Sequence, residues 1–283
     1  MRRAPDHPLR RRVAPLRTTA LAVALGLLIA APARAHDTWL APLPSGERGE
    51  RVLALGTGER FPQHQGRVPV EQLAEASCHG QGAAAGRHWP LRWAADRPDA
   101  LWLRTTRPVP SFTTLDCRAQ TRPMALELDP ALVPAYLDEA RADTALRQRW
   151  QAQGRPWRER FRKHARWIDA PSGGADTGAA PMPPMPLDLE LTLPPGGPQR
   201  GDRLRARLLW QGQPLPGHAL ELRNDLSPVG LWLRTDAEGV VELPLPLAAR
   251  WLVRSILLRP AADEAWDSDF LGVSFDVRPA AVR

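Results

Sequence analysis

"DRLRARLLWQGQPLPGHALELRN", residues 202–224, decides the fold. Leu204, Ala206 and Leu208 alternate with Arg203, Arg205 and Arg207, and a period of two puts the apolar side chains on one face of a strand and the guanidiniums on the other. "GQPLPG" (212–217) has the residues of a turn, and "HALELRN" resumes the alternation. The same reading extends over "PLDLELTLP" (186–194), "LWLRTDAEGVVELPLP" (231–246), "WLVRSILLRP" (251–260) and "FLGVSFDV" (270–277). Roughly seven strands in about 90 residues predict an immunoglobulin-like or prealbumin-like β-sandwich over 186–278.

Upstream, "RVLALGTGERF" (51–61), "HWPLRWAA" (88–95), "ALWLRTT" (100–106) and "MALELD" (124–129) are short apolar runs or alternations broken by Gly, Pro and Asp. They predict a second antiparallel sandwich in a domain spanning 36–169. Helical periodicity takes over in "DPALVPAYLDEARADTALRQRWQ" (129–151), where Asp129 can cap and Pro130 suits a first turn. A second helix is expected over 156–168, with Trp157, Phe161, His164, Ala165 and Ile168 inward and Arg158, Glu159, Arg162, Lys163 and Arg166 facing water. "APSGGADTGAAPMPPM" (170–185) has the composition of a linker. The expected architecture is therefore mainly β: two sandwich domains with a helical segment, 130–168, between them.

Residues 1–35 read as a cleavable secretory leader: a basic start, an apolar run from Ala20 to Ala31, and the small-residue exit "ARA". The run is shorter than the ~20 residues that span a bilayer, so no membrane span is expected after cleavage and a periplasmic location is. The leader carries seven of the 38 arginines and lysines and one of the 31 acidic residues, so the formal charge of +7 falls to +1 without it. That balance gives no reason to expect nucleic acid as a partner. Lys163 is the single lysine of the chain and is read as a compositional bias. Cys78 and Cys117, alone in an exported chain, are expected to form a disulfide.

Four stretches carry a likeness to a known family: "AHDTWL" (35–40), "GERF" (58–61), "RERFRKHARWI" (158–168), and the C-terminal "GDRLRARLLWQGQPLPGHALEL" (201–222) with "TDAEG" (235–239) and "WLVRSI" (251–256). Together they resemble the DUF4198 family of exported bacterial proteins, some associated with nickel and cobalt uptake. The resemblance implies a periplasmic protein that binds a transition metal and passes it to an inner-membrane transporter.

The residues give their own reason to look for a metal. Cleavage after Ala35 would make His36 the first residue, and an N-terminal histidine offers its α-amine and ring Nδ1 to one cation in an unstrained chelate. Both groups release protons readily to a metal near neutral pH, and neutral nitrogen donors suit Ni(II), Co(II) and Cu(II). Asp37 is expected to add an oxygen donor or to orient the ring. A further imidazole is sought in His64, in the polar loop "FPQHQG", or in His79 beside Cys78, with His88 and His164 as alternatives and His218 the least suited. "DEAWDSDF" (263–270) is read as an acidic surface turn, since it lacks the glycine and distal glutamate of an EF-hand loop. The chain has no GxSxG, no phosphate-cradling Gly-Lys loop and no HExxH, so an enzyme is not expected. The competing readings are a copper-dependent oxidase acting on polysaccharide and a structural or adhesion module.

Overall fold

Strand β1 (Asp37–Leu43) begins a sheet that curls until β1 lies across the strands at its own centre. The computed structural model describes residues 36–44, 49–111, 113–169, 184–191, 193–194, 196–262 and 265–280. The expected leader and nearly all of the expected linker fall outside these residues. After β1 come β2 (Val52–Gly58), β3 (Gly66–Arg67), β4 (Leu73–Gly80), β5 (His88–Asp96), β6 (Leu101–Thr105), β7 (Leu115–Thr121) and β8 (Met124–Leu128). Helices α1 (Val133–Glu139) and α2 (Thr144–Gln153) interrupt the strands. They are followed by β9 (Trp157–Ile168), β10 (Leu187–Leu191), β11 (Arg203–Trp210), β12 (Gln213–Pro214) and β13 (Ala219–Asn224). The series closes with β14 (Ser227–Arg234), β15 (Val240–Pro244), β16 (Arg250–Pro260) and β17 (Trp266–Asp276).

The protein is mainly β, and its described strands form two sheets. A 13-stranded sheet runs β1-β2-β6-β5-β4-β7-β9-β17-β16-β13-β14, with β3 on β2 and β8 on β9, while β10, β11, β12 and β15 form a 4-stranded sheet. The arginine alternation of the opening stretch is realised on β11: Leu204, Ala206 and Leu208 are buried and Arg203 and Arg205 exposed. The core between the two sheets holds Leu187, Leu189, Leu220, Leu243, Val253, Val273 and Phe275. In the first half, Leu40, Leu53, Leu101, Leu103, Leu115 and Trp89 fill the inside of the curl around the disulfide. Cys78 and Cys117 face each other across β4 and β7 and form the expected disulfide.

Residues 157–168 are not a helix. They form the strand β9, paired antiparallel with β7 and β8 on one side and in parallel with β17 on the other. The helical spacing of Trp157, Phe161, His164 and Ile168 is a coincidence of a central strand whose last five residues are buried on both faces. The polar residues among them have partners inside. Glu159, expected in water, is 2 % exposed and accepts hydrogen bonds from Tyr136 Oη at 2.9 Å, from Trp157 Nε1 at 2.6 Å and from Ser268 Oγ. Arg166 is likewise buried and bonds Asp116 and Asp188. Asp269, read as part of a surface turn, is fully buried against His164 Nε2 at 2.8 Å, Arg162 and Arg259.

The first predicted helix exists as two. Asp129 Oδ1 accepts from Ala131 N and starts the turn, but the chain breaks after Glu139 through Arg141 at φ 52°. Asp143 then caps α2 by accepting from Leu146 N. Because β9 belongs to the sheet that contains β13, β16 and β17, the two expected sandwiches share a continuous sheet. All described residues belong to one compact unit.

Gly272 on β17 is what lets β1 lie so close. A Cβ there would overlap the carbonyl oxygen of Thr38, and two residues on Ser274 Oγ donates to Leu40 O at 2.6 Å. Gly272→Ala is expected to lower stability by about 1–3 kcal/mol, seen as a lower urea midpoint at unchanged m-value. An unchanged midpoint would show that β1 is not seated on β17.

Candidate functional site

The site forms where β1 enters the sheet of the second half. Asp37 is 7 % exposed, and its two carboxylate oxygens are taken by two different guanidiniums: Oδ1 by Arg254 Nη1 at 2.9 Å, Oδ2 by Arg223 Nη1 at 3.0 Å. Arg254 also donates through Nε to Glu221 Oε2 at 2.5 Å and through Nη1 to Glu139 Oε1 at 3.3 Å. Arg223 pairs with Glu221 at 2.9 Å. Each element supplies its residue by simple register: Glu221 and Arg254 are direct partners across β13 and β16, while Glu139 arrives on the last residue of α1. Trp232 lies under the Arg254 guanidinium, and Arg141 stacks on the same ring at 4.3 Å.

A cavity of about 220 Å³ opens beside this network, lined by His36, Asp37, Gly58, Glu59, Glu139, Arg223 and Arg254. His36 Nε2 stands 3.8 Å from Glu59 Oε1, with both side chains partly exposed. Lys163 Nζ donates to His36 O at 3.1 Å from behind. Three carboxylates (Asp37, Glu59, Glu139) and two guanidiniums (Arg223, Arg254) thus line the cavity together with the ring of His36.

Burial raises the Asp37 carboxyl against the lowering pull of Arg254 and Arg223. Glu139 is raised by burial for the same reason, with Arg254 opposing. Burial lowers Lys163 to about 8, with Asp37 the opposing influence.

Of the residues singled out in the sequence, His36 and Asp37 line the cavity and His64 and His79 do not. Each oxygen of Asp37 accepts a hydrogen bond from an arginine, which anchors the carboxylate at the cavity wall. His64 stacks on Trp39 at 4.8 Å, and its Nε2 is buried without a hydrogen-bond partner, so burial holds its pKa below the usual value. His79 lies on β4 against His88. Among the described residues no three His, Cys, Asp or Glu side chains converge as a metal cage. Glu59, Glu139, Lys163 and Arg254 were not singled out as site residues. Glu59, Lys163 and Arg254 nevertheless sit in "GERF", "RERFRKHARWI" and "WLVRSI", the stretches that carried the family likeness.

No protein-family model and no curated protein matches the chain. The chemistry of the cavity therefore has to carry the functional reading.

Lys163 gives a signed pH effect. Between about 8 and its ordinary value of 10.5, the folded protein has lost a proton that the unfolded chain still holds, so stability rises with pH in that window. The unfolding free energy of the wild type relative to Lys163→Met should therefore increase by about 2–3 kcal/mol between pH 7 and pH 10.5. A difference that is flat in pH would mean the ammonium is solvated. Separately, Arg254→Met strands Asp37 and Glu221 and should cost about 3–5 kcal/mol in denaturant unfolding, more than Arg223→Met.

Proposed function

We propose that the protein is a periplasmic carrier for a divalent transition metal (nickel, cobalt or copper), held by His36 after cleavage behind Ala35 and passed to an inner-membrane transporter. The observation that carries this reading is the approach of the His36 ring to Glu59 at the edge of an acidic cavity. A carboxylate facing Nε2 favours the tautomer with its proton on that nitrogen. Nδ1 then keeps its lone pair on the side of the ring nearer the backbone amine, where a chelate with that amine closes. Histidine ligands in metal proteins commonly have such a carboxylate behind them.

The donor set fits a late transition ion: one amine and one imidazole nitrogen from His36, with Glu139 an oxygen facing the same cavity. When bound, the metal would bring no chemistry of its own to the protein beyond being cargo. The chain's residues orient it. Glu59 fixes the ring, Lys163 holds the His36 carbonyl, and the arginine pair fixes Asp37 and with it the start of β1. The family likeness of the four stretches agrees with this use. Asp37, through the same arginine pair, anchors the strand that carries His36.

Calorimetry with Ni(II) and Cu(II) tests the proposal on protein beginning at His36 and on the same protein carrying one additional alanine before it. Tight binding is expected for the first and a large loss for the second. Glu59→Gln in the first should weaken binding by about 10–100-fold. Equal affinities for the two N-termini would overturn the reading.

A further inference from the structure

A second pair of imidazoles lies on the outer face of the first half. His79 on β4 and His88 on β5 are direct cross-strand partners, with ring centroids 4.9 Å apart. Gly80 N donates to Arg87 O at 2.9 Å in the neighbouring rung, which makes His79 and His88 a non-hydrogen-bonded pair, the kind whose side chains stand closest. Cys78 and Trp89, one step along, point the opposite way into the core. The two histidines therefore share the outer face, His88 exposed and His79 partly so.

We infer that His79 and His88 form a second cation site, selective for a late divalent transition ion. Two imidazoles stand side by side on adjacent strands with ring centroids 4.9 Å apart, and borderline ions such as Cu(II), Ni(II) and Zn(II) prefer nitrogen donors to the oxygens that Mg(II) and Ca(II) require. Ser77 Oγ lies 3.1 Å from His79 Nε2 on the same face of β4. With the hydroxyl accepting from Nε2–H, His79 Nδ1 keeps its lone pair for the ion. Burial and the neighbouring His88 and Arg118 keep His79 below the usual imidazole pKa. Asp116 and Glu75 act in the opposite sense, and they offset the repulsion that Arg118 exerts on an incoming cation. Asp116 itself is engaged by Arg166 and does not supply a donor.

The site is rigid where the His36 chelate is built from a chain terminus. β4 is held to β7 by the Cys78–Cys117 bridge immediately before His79, and Asp116 faces His79 across the same rung. Two protein donors leave the remaining positions of the ion to water, so the site would exchange its metal quickly. That behaviour suits a staging point on a surface and not a permanent structural ion.

The experiment uses the full chain carrying His36→Ala, which removes the ring of the proposed terminal chelate. Adding Cu(II) as its sulfate should give one equivalent bound in calorimetry, with an electron paramagnetic resonance spectrum split by two imidazole nitrogens. Adding His88→Ala to this background is expected to weaken copper binding by at least 10-fold and to remove the two-nitrogen splitting. His88 is exposed, so the fold should be kept, as checked by an unchanged melting temperature without metal; His88→Gln serves as a second variant with the same expectation. Copper affinity and spectrum unaffected by either His88 change would overturn the proposal. Because His36 is absent throughout, failure here is distinguishable from failure of the terminal site.

Discussion

The carboxylate of Asp37, held between Arg254 and Arg223, is the interaction on which the site depends. It joins the first strand to a sheet built from the other end of the chain. A buried ion network of this kind adds little net stability over well-packed apolar residues, but breaking it from one side is costly. It therefore sets position more than it supplies energy. With Asp37 fixed, the backbone of β1 has one place to run, over Gly272, and His36 is brought to the cavity edge beside Glu59. The apolar side chains of the same strand complete the placement, since Trp39 packs on Phe61 and Leu252 while Leu40 enters the core of the first half.

Two further buried networks on β9 follow the same logic. Glu159 is satisfied by Tyr136, Trp157 and Ser268, and Asp269 by His164, Arg162 and Arg259. Each joins β9 to β17 or to an element packed on them, and each would be left with unpaired buried charge by a slip of one residue. Parallel pairing over ten consecutive rungs, from Trp266 with Glu159 to Phe275 with Ile168, is thus fixed in register by polar contacts as well as by packing. This accounts for so many ionisable groups inside a β protein whose apolar residues would already fill its cores.

The mainly β class was legible because alternation is a local signal: the β11 arginines stand at every second position whatever lies elsewhere. The disulfide was legible because the chain has two cysteines and the pairing needs no other partner. Strand β9 was not, since its residues have an apolar spacing compatible with a helix, and the partners that make it a strand lie in β7 and β17, distant along the chain. The same limitation hid the site. His36 could be named from its position after the expected cleavage point, but Glu59, Glu139 and Arg254 acquire meaning only when three separate segments meet. Lys163 did carry a signal. A solitary lysine in an arginine-rich chain marks a place where a compact ammonium is wanted, and it sits here behind the His36 carbonyl.

The crossing of β1 over β17 also constrains when the molecule becomes itself. Asp37 and Arg254 are 217 residues apart in sequence, and the surface that receives the first strand is built from β9 and from the last strand, β17. During synthesis the amino-terminal segment emerges long before its seat exists, and contacts of such long range assemble slowly. The seat of the first strand is thus completed only when the last one is made, and β1 reaches its final place after β17 has joined the sheet.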